Sequence, residues 1–123
     1  MKLFLIAGAI SGALAVIFGA FGAHLLKQMI TPEMLEVYKT GVDYQFYHTF
    51  ALLTVGILMH LAPSKILQWS GYLFIGGIVI FSGFLYLLSL TGIKVLGAIV
   101  PIGGVSFIAG WICLLAHILK AKK

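Results

Sequence analysis

Few side chains in this sequence can do chemistry, and they fall at the ends of apolar runs. They are His24, then Asp43, Tyr44, Gln45 and His48, then Ser82 and Tyr86, with Pro101 beyond. Imidazoles supply a base or a metal ligand, a carboxylate can carry a proton, and hydroxyls and an amide donate and accept hydrogen bonds. Tyr44 and His48 stand four residues apart, as do Ser82 and Tyr86, so each pair shares a helix face. His24 and His48 are the residues with which a metal or an axial haem would be held. The sequence shows no zinc-like ligand spacing and no Glu-x-x-His, the usual carboxylate motif of bundle metal sites. No metal or cofactor is expected. Asp43 is placed to pair with Lys39 or His48, or to cap a helix. A nucleophile–base pair and a nucleotide loop are both missing, so no enzyme is expected either. An enzymatic reading would need Tyr44, His48 and Ser82 to converge.

The elements that position these residues follow from the charges. Of 123 residues, 9% are charged and 62% hydrophobic, with 8 Lys and 3 acids, and the mean hydropathy is +1.15. Soluble domains carry roughly 25% charge, so a soluble enzyme, a nucleic-acid binder and a disordered linker are excluded. The basic balance lies in lysines that flank apolar runs and does not form an aromatic-laced basic patch. Membrane lipid, and not nucleic acid, is the expected partner. Charges stop short of four runs, 3–26, 44–64, 66–93 and 95–119, each long enough for the roughly 20 residues that cross a bilayer. A chain in lipid must satisfy its own backbone, so each run is helical. The expected fold is an all-α integral membrane four-helix bundle. It forms one domain over 1–123, with spans at about 3–26, 44–62, 66–90 and 95–119. The first run exceeds the apolar length of a signal peptide and is read as a span. Cys113 is expected as a buried thiol.

Between the first two spans, Thr31-Pro32-Glu33 combines a capping hydroxyl, a proline suited to the first turn and an acid at a helix N-terminus. A short amphipathic interfacial helix is predicted over about 32–41, carrying Leu35 and Tyr38, with Gly41 as a flexible point before the membrane. Tight turns are predicted at Ala62-Pro63-Ser64-Lys65 and at Leu90-Thr91-Gly92-Ile93-Lys94. Gly8, Gly12, Ala15, Gly19, Gly22 and Ala23 make a smooth face on the first span, against which a helix packs closely. That helix belongs either to the same chain or to a second protomer or membrane partner. Lys2, Lys65, Lys120, Lys122 and Lys123 fall on one side and Lys27, Lys39 and Lys94 on the other. The positive-inside rule then places both termini in the cytoplasm. The polar residues lie within roughly 17 Å of the outer boundary, as a single layer. Pro101 with Gly103-Gly104 predicts a kink in the fourth span. This layer either staples the helices or forms a site for an ion, lipid or small molecule. Small multidrug exporters have a similar size and span count, but their pattern includes an acid in the first span, which this chain lacks.

Longer stretches carry a resemblance. Gly19-Ala20-Phe21-Gly22-Ala23-His24, Thr40-Gly41-Val42-Asp43-Tyr44-Gln45 with His48, Phe81-Ser82-Gly83 and Leu85-Tyr86 stand in order. Thr91-Gly92, Leu96-Gly97-Ala98-Ile99, Pro101-Ile102-Gly103-Gly104 and Gly110-Trp111 follow. Together they resemble the small bacterial inner-membrane family of domain of unknown function 423, which has eukaryotic transmembrane relatives. The resemblance implies a four-helix protein of the bacterial plasma membrane and no established chemistry. Two hydroxyls common in the family pattern are replaced here by Phe84 and Val100. On this reading the protein is non-enzymatic and supports envelope integrity or a partner complex. The alternative is a small transporter or channel component built on the outer polar layer.

Overall fold

A computed structural model describes residues 2–121. Met1, Lys122 and Lys123 lie outside the described residues, and with them two of the lysines counted for orientation. Four long helical rods follow one another among the described residues: α1 (Leu3–Leu26), α2 (Pro32–Leu61), α3 (Lys65–Thr91) and α4 (Lys94–Lys120). α1, α3 and α4 are long and apolar enough to cross a membrane. α2 is the more polar one, because Gln45, His48 and Thr49 interrupt its apolar run, and all three are buried in the bundle.

Helix ends follow the local chemistry. Thr31 Oγ1 accepts the Met34 amide at 3.1 Å, and Pro32 opens α2 where its missing N–H costs nothing. Ser64 caps α3 in the same way through the Leu67 amide, at 3.1 Å. Gly92, at φ 70°, closes α3 in the left-handed conformation that glycine adopts without a side-chain clash.

Three expectations need correction. The interfacial helix over 32–41 is not separate: α2 runs unbroken for 30 residues, about 45 Å, so its first turns project beyond a 30 Å hydrocarbon core. Gly41 is no hinge. A Cβ there would lie 2.8 Å from the Tyr86 ring and 3.3 Å from Leu85 Cβ, so glycine serves close packing. Pro101 is likewise no mid-span kink. It occupies the first turn of the α-helix Val100–Lys120, behind a 3-10 turn at Lys94–Ala98. Departures from α-helical geometry occur elsewhere, as π-turns over Phe18–Gly22 in α1 and Ile78–Ser82 in α3.

α2 and α3 pack together, with α1 lying along α2 and α4 along α3. The smooth face of α1 meets α2 of the same chain: Gly8 faces Leu53, Gly12 faces Thr49, Gly19 faces Val42 and Gly22 faces Tyr38. Phe4, Leu52, Val55, Leu67, Phe74 and Phe107 form the core. Large apolar side chains such as Ile10, Phe50, Val79, Ile108 and Leu115 point outward, as a lipid-facing surface requires.

Candidate functional site: a polar seam centred on α2

α2 presents polar side chains to all three of its neighbours, and two residues act as hubs. Gln45 is 3% exposed. Its Nε2 donates to the Ser11 carbonyl at 2.8 Å, and its Oε1 accepts from the Tyr86 hydroxyl at 2.6 Å. One amide thereby ties α1, α2 and α3. A turn further on, the Thr49 hydroxyl donates to the Gln45 carbonyl at 2.7 Å. Its proton is thus committed, so Ser11 must donate in the 2.7 Å Ser11–Thr49 bond.

His48, 5% exposed, is the second hub. Trp111 Nε1 of α4 donates to its Nε2 at 3.0 Å, and its Nδ1 lies 2.8 Å from the Tyr44 carbonyl. An indole nitrogen only donates, so Nε2 must be unprotonated. Nδ1 then carries the proton and gives it to the carbonyl. The two bonds select a neutral imidazole in a single tautomer. The ring also stacks on Phe107, with centroids 3.5 Å apart and planes 10° from parallel. Tyr44 stacks beside it at 6.1 Å and packs on Phe81 at 4.6 Å.

Both π-turns meet this seam. The Tyr38 hydroxyl donates to the carbonyl of Phe18 at 2.5 Å, and Ser82 donates to the Gly41 carbonyl at 2.6 Å. Below the seam, Ser70 donates to the Gly110 carbonyl and Ser106 to the Leu73 carbonyl, each at 2.7 Å, joining α3 to α4. Among the described residues, no buried side-chain nitrogen or oxygen lacks a partner.

The predicted layer is only partly assembled. Gln45, His48, Ser82 and Tyr86 enter the seam, and Tyr44 joins it through its ring and carbonyl. His24 and Asp43 are exposed, and Pro101 is exposed on α4. Asp43 pairs with neither expected partner: Lys39 meets Glu36 at 3.8 Å, and both His48 nitrogens are taken. Nor does it cap α2, because Thr31 does. Tyr44, His48 and Ser82 do not converge, since Ser82 bonds Gly41 while His48 bonds Trp111 and the Tyr44 backbone. Of the glycines expected to pack, Gly103 lies hard against the Phe81 backbone. A Cβ at Gly104 would only touch the Phe81 ring, at 3.9 Å. Trp111, Ser11, Tyr38 and Thr49 were not expected in the polar layer, although Trp111 stands in the Gly110-Trp111 motif and Tyr38 on the helix predicted over 32–41. The spacing of Ser11 among glycines on the buried face of α1 was the available signal.

The groove between α1 and α3 beside this seam has a volume of about 270 Å³ and is lined mainly by Ala7, Ile10, Leu14, Ile75 and Ile78. Ser11 and Gln45 form its floor, with their polar groups already bonded. Among the described residues, no three His, Cys, Asp or Glu side chains gather where they could hold a metal ion.

The family model described as "Protein of unknown function (DUF423)" matches residues 18–104, from the π-turn of α1 to the first turns of α4. The chain belongs to that family. A UPF0382 membrane protein of Staphylococcus aureus is 48% identical over 98% of this chain and 98% of its own. The UPF0382 membrane protein YwdK of Bacillus subtilis is 47% identical over the same shares. One from Staphylococcus saprophyticus is 45% identical, over 98% of this chain and 99% of its own. No solved structure matches. The family resemblance carried by the motifs around Gly19–His24 and Thr40–His48 is therefore correct, and the chain is a membrane protein of all-helical fold.

Proposed function

We propose that this is a multi-pass protein of the plasma membrane, with α2 as its fourth crossing element and both termini in the cytoplasm. It works without a catalytic or transport cycle, as a rigid helical platform that supports the envelope or a membrane partner. One observation carries this reading: the polar groups of Gln45 and His48 are spent on fixed partners in neighbouring helices. A proton relay or transport site needs groups free to exchange partners, whereas a closed set of bonds between helices holds one arrangement. The lysine distribution supports the orientation.

Vesicles loaded with a pH-sensitive dye and reconstituted with the full chain provide the test. The expected proton leak under a pH gradient equals that of protein-free vesicles. His48→Ala leaves it unchanged while lowering the melting temperature. A pH-driven flux that His48→Ala abolishes would establish the transporter reading instead.

A further inference from the structure

A second polar concavity lies at the opposite end of the bundle from the seam, where the chain turns from α2 into α3 beside the end of α4. Pro63, Ser64, Ile66, His117, Lys120 and Ala121 line most of a cavity of about 390 Å³. We propose that it binds phosphate-bearing anions, with the phosphodiester of an anionic phospholipid as the occupant its depth favours. This inference does not depend on the closed seam above.

The donors converge by construction. His117 is 6% exposed, and its Nδ1 lies 2.7 Å from Ser64 Oγ. That oxygen already accepts the Leu67 amide. If Ser64 gives its proton to Nδ1, the imidazole carries its own proton on Nε2, which has no partner among the described residues. If Nδ1 donates, the Ser64 hydroxyl proton is left over. Either polarity leaves one donor beyond the pair. Since no buried side-chain nitrogen among the described residues lacks a partner, the unbonded Nε2 is not sealed inside the bundle, and His117 lines the cavity.

Two further features suit an anion. Lys120 lines the wall and brings a positive charge to the cavity. The cavity also lies at the start of α3, where the Lys65 and Ile66 amides have no helical carbonyl behind them and the helix dipole is positive. Among the described residues, competing side-chain carboxylates are remote. Asp43, the acid closest along α2, stands roughly 27 Å up the helix from Leu61. Lys65 and Lys120 each bound an apolar run, so the cavity sits at headgroup depth, where basic pockets between helices meet lipid phosphates.

Thermal denaturation of the full chain in mixed micelles tests this with phosphatidylglycerol, phosphatidylcholine or inorganic phosphate added separately. Phosphatidylglycerol is expected to raise the melting temperature of the wild type and of Lys94→Gln, which removes a charge at the other end. Lys120→Gln should need about fivefold more lipid for the same shift. Ser64→Asp keeps a capping side chain for Leu67 but puts a negative charge in the cavity, and should lose the response. A shift with inorganic phosphate and none with lipid assigns the site to a soluble phosphate. No shift with either source overturns the proposal, as does a lipid response that Lys120→Gln and Ser64→Asp leave unchanged. Should Ser64→Asp fail to fold, the Lys120→Gln comparison decides alone.

Discussion

Gly103 and Gly104 are neighbours on α4 with opposite expected responses to the same added methyl group. A Cβ at Gly103 would lie 2.8 Å from both Cα and Cβ of Phe81 and closer still to its amide nitrogen. Carbon atoms pack best at about 3.5–4.0 Å, so α4 would have to retreat by roughly 1 Å. The obstacle is backbone in the Ile78–Ser82 π-turn, which no rotamer change can move aside. Overpacking of this kind costs about 1–3 kcal/mol, and the better helix propensity of alanine returns about 1. Because the obstacle is backbone, the upper part of that range (about 2–3 kcal/mol) applies, and Gly103→Ala should lose about 1–2 kcal/mol. At Gly104 the nearest atoms are ring carbons of Phe81 at 3.9 Å, an ordinary contact. Gly104→Ala should then gain up to about 1 kcal/mol from propensity alone. Reversible unfolding of both variants and the wild type in one detergent measures the difference. If Gly103→Ala is as stable as the wild type, or if both variants fall equally, the close approach of α3 and α4 at Phe81 is refuted.

Two more outcomes follow from the same contacts. In a double-mutant cycle, His48→Ala and Trp111→Phe should be coupled by about 0.6 kcal/mol, and by no more than about 1.7, the range for hydrogen bonds between membrane helices. Strict additivity would show that the 3.0 Å Trp111–His48 bond does not tie α4 to α2. A reporter active only in the cytoplasm, fused after Lys123, should be active; a periplasmic signal would invert the orientation drawn from the lysines.

Some local features were legible because they depend on neighbours in sequence. The Thr31-Pro32-Glu33 start of α2, the Ser64 turn and the Gly92 stop were all readable from residue types. So was the small face of α1, though not the helix it meets. The same reasoning failed at Gly41 and Pro101 because glycine and proline each have two structural uses. Gly41 permits a close approach by Tyr86 and Leu85, and Pro101 begins a helix. Propensity alone does not separate those uses from a hinge and a kink. The site was half legible. Polar residues in apolar runs were conspicuous, but Asp43 and His24 lie on exposed faces while Ser11, Thr49 and Trp111 carry hydrogen bonds between helices.

The residues around Gly19–His24 and Thr40–His48 determined the family. The placement of eight lysines and three acids determined where this chain can enter a bilayer, because hydrocarbon excludes charge and leaves that exclusion readable along one dimension. Pairing is a different kind of fact. Trp111 is 63 residues from His48, and Tyr86 is 41 from Gln45, and no local rule joins them. Only the rotation and depth of each packed helix bring those atoms within hydrogen-bond reach. In doing so they turn a scattered set of polar residues into a closed seam and leave Ser64 and His117 lining a cavity.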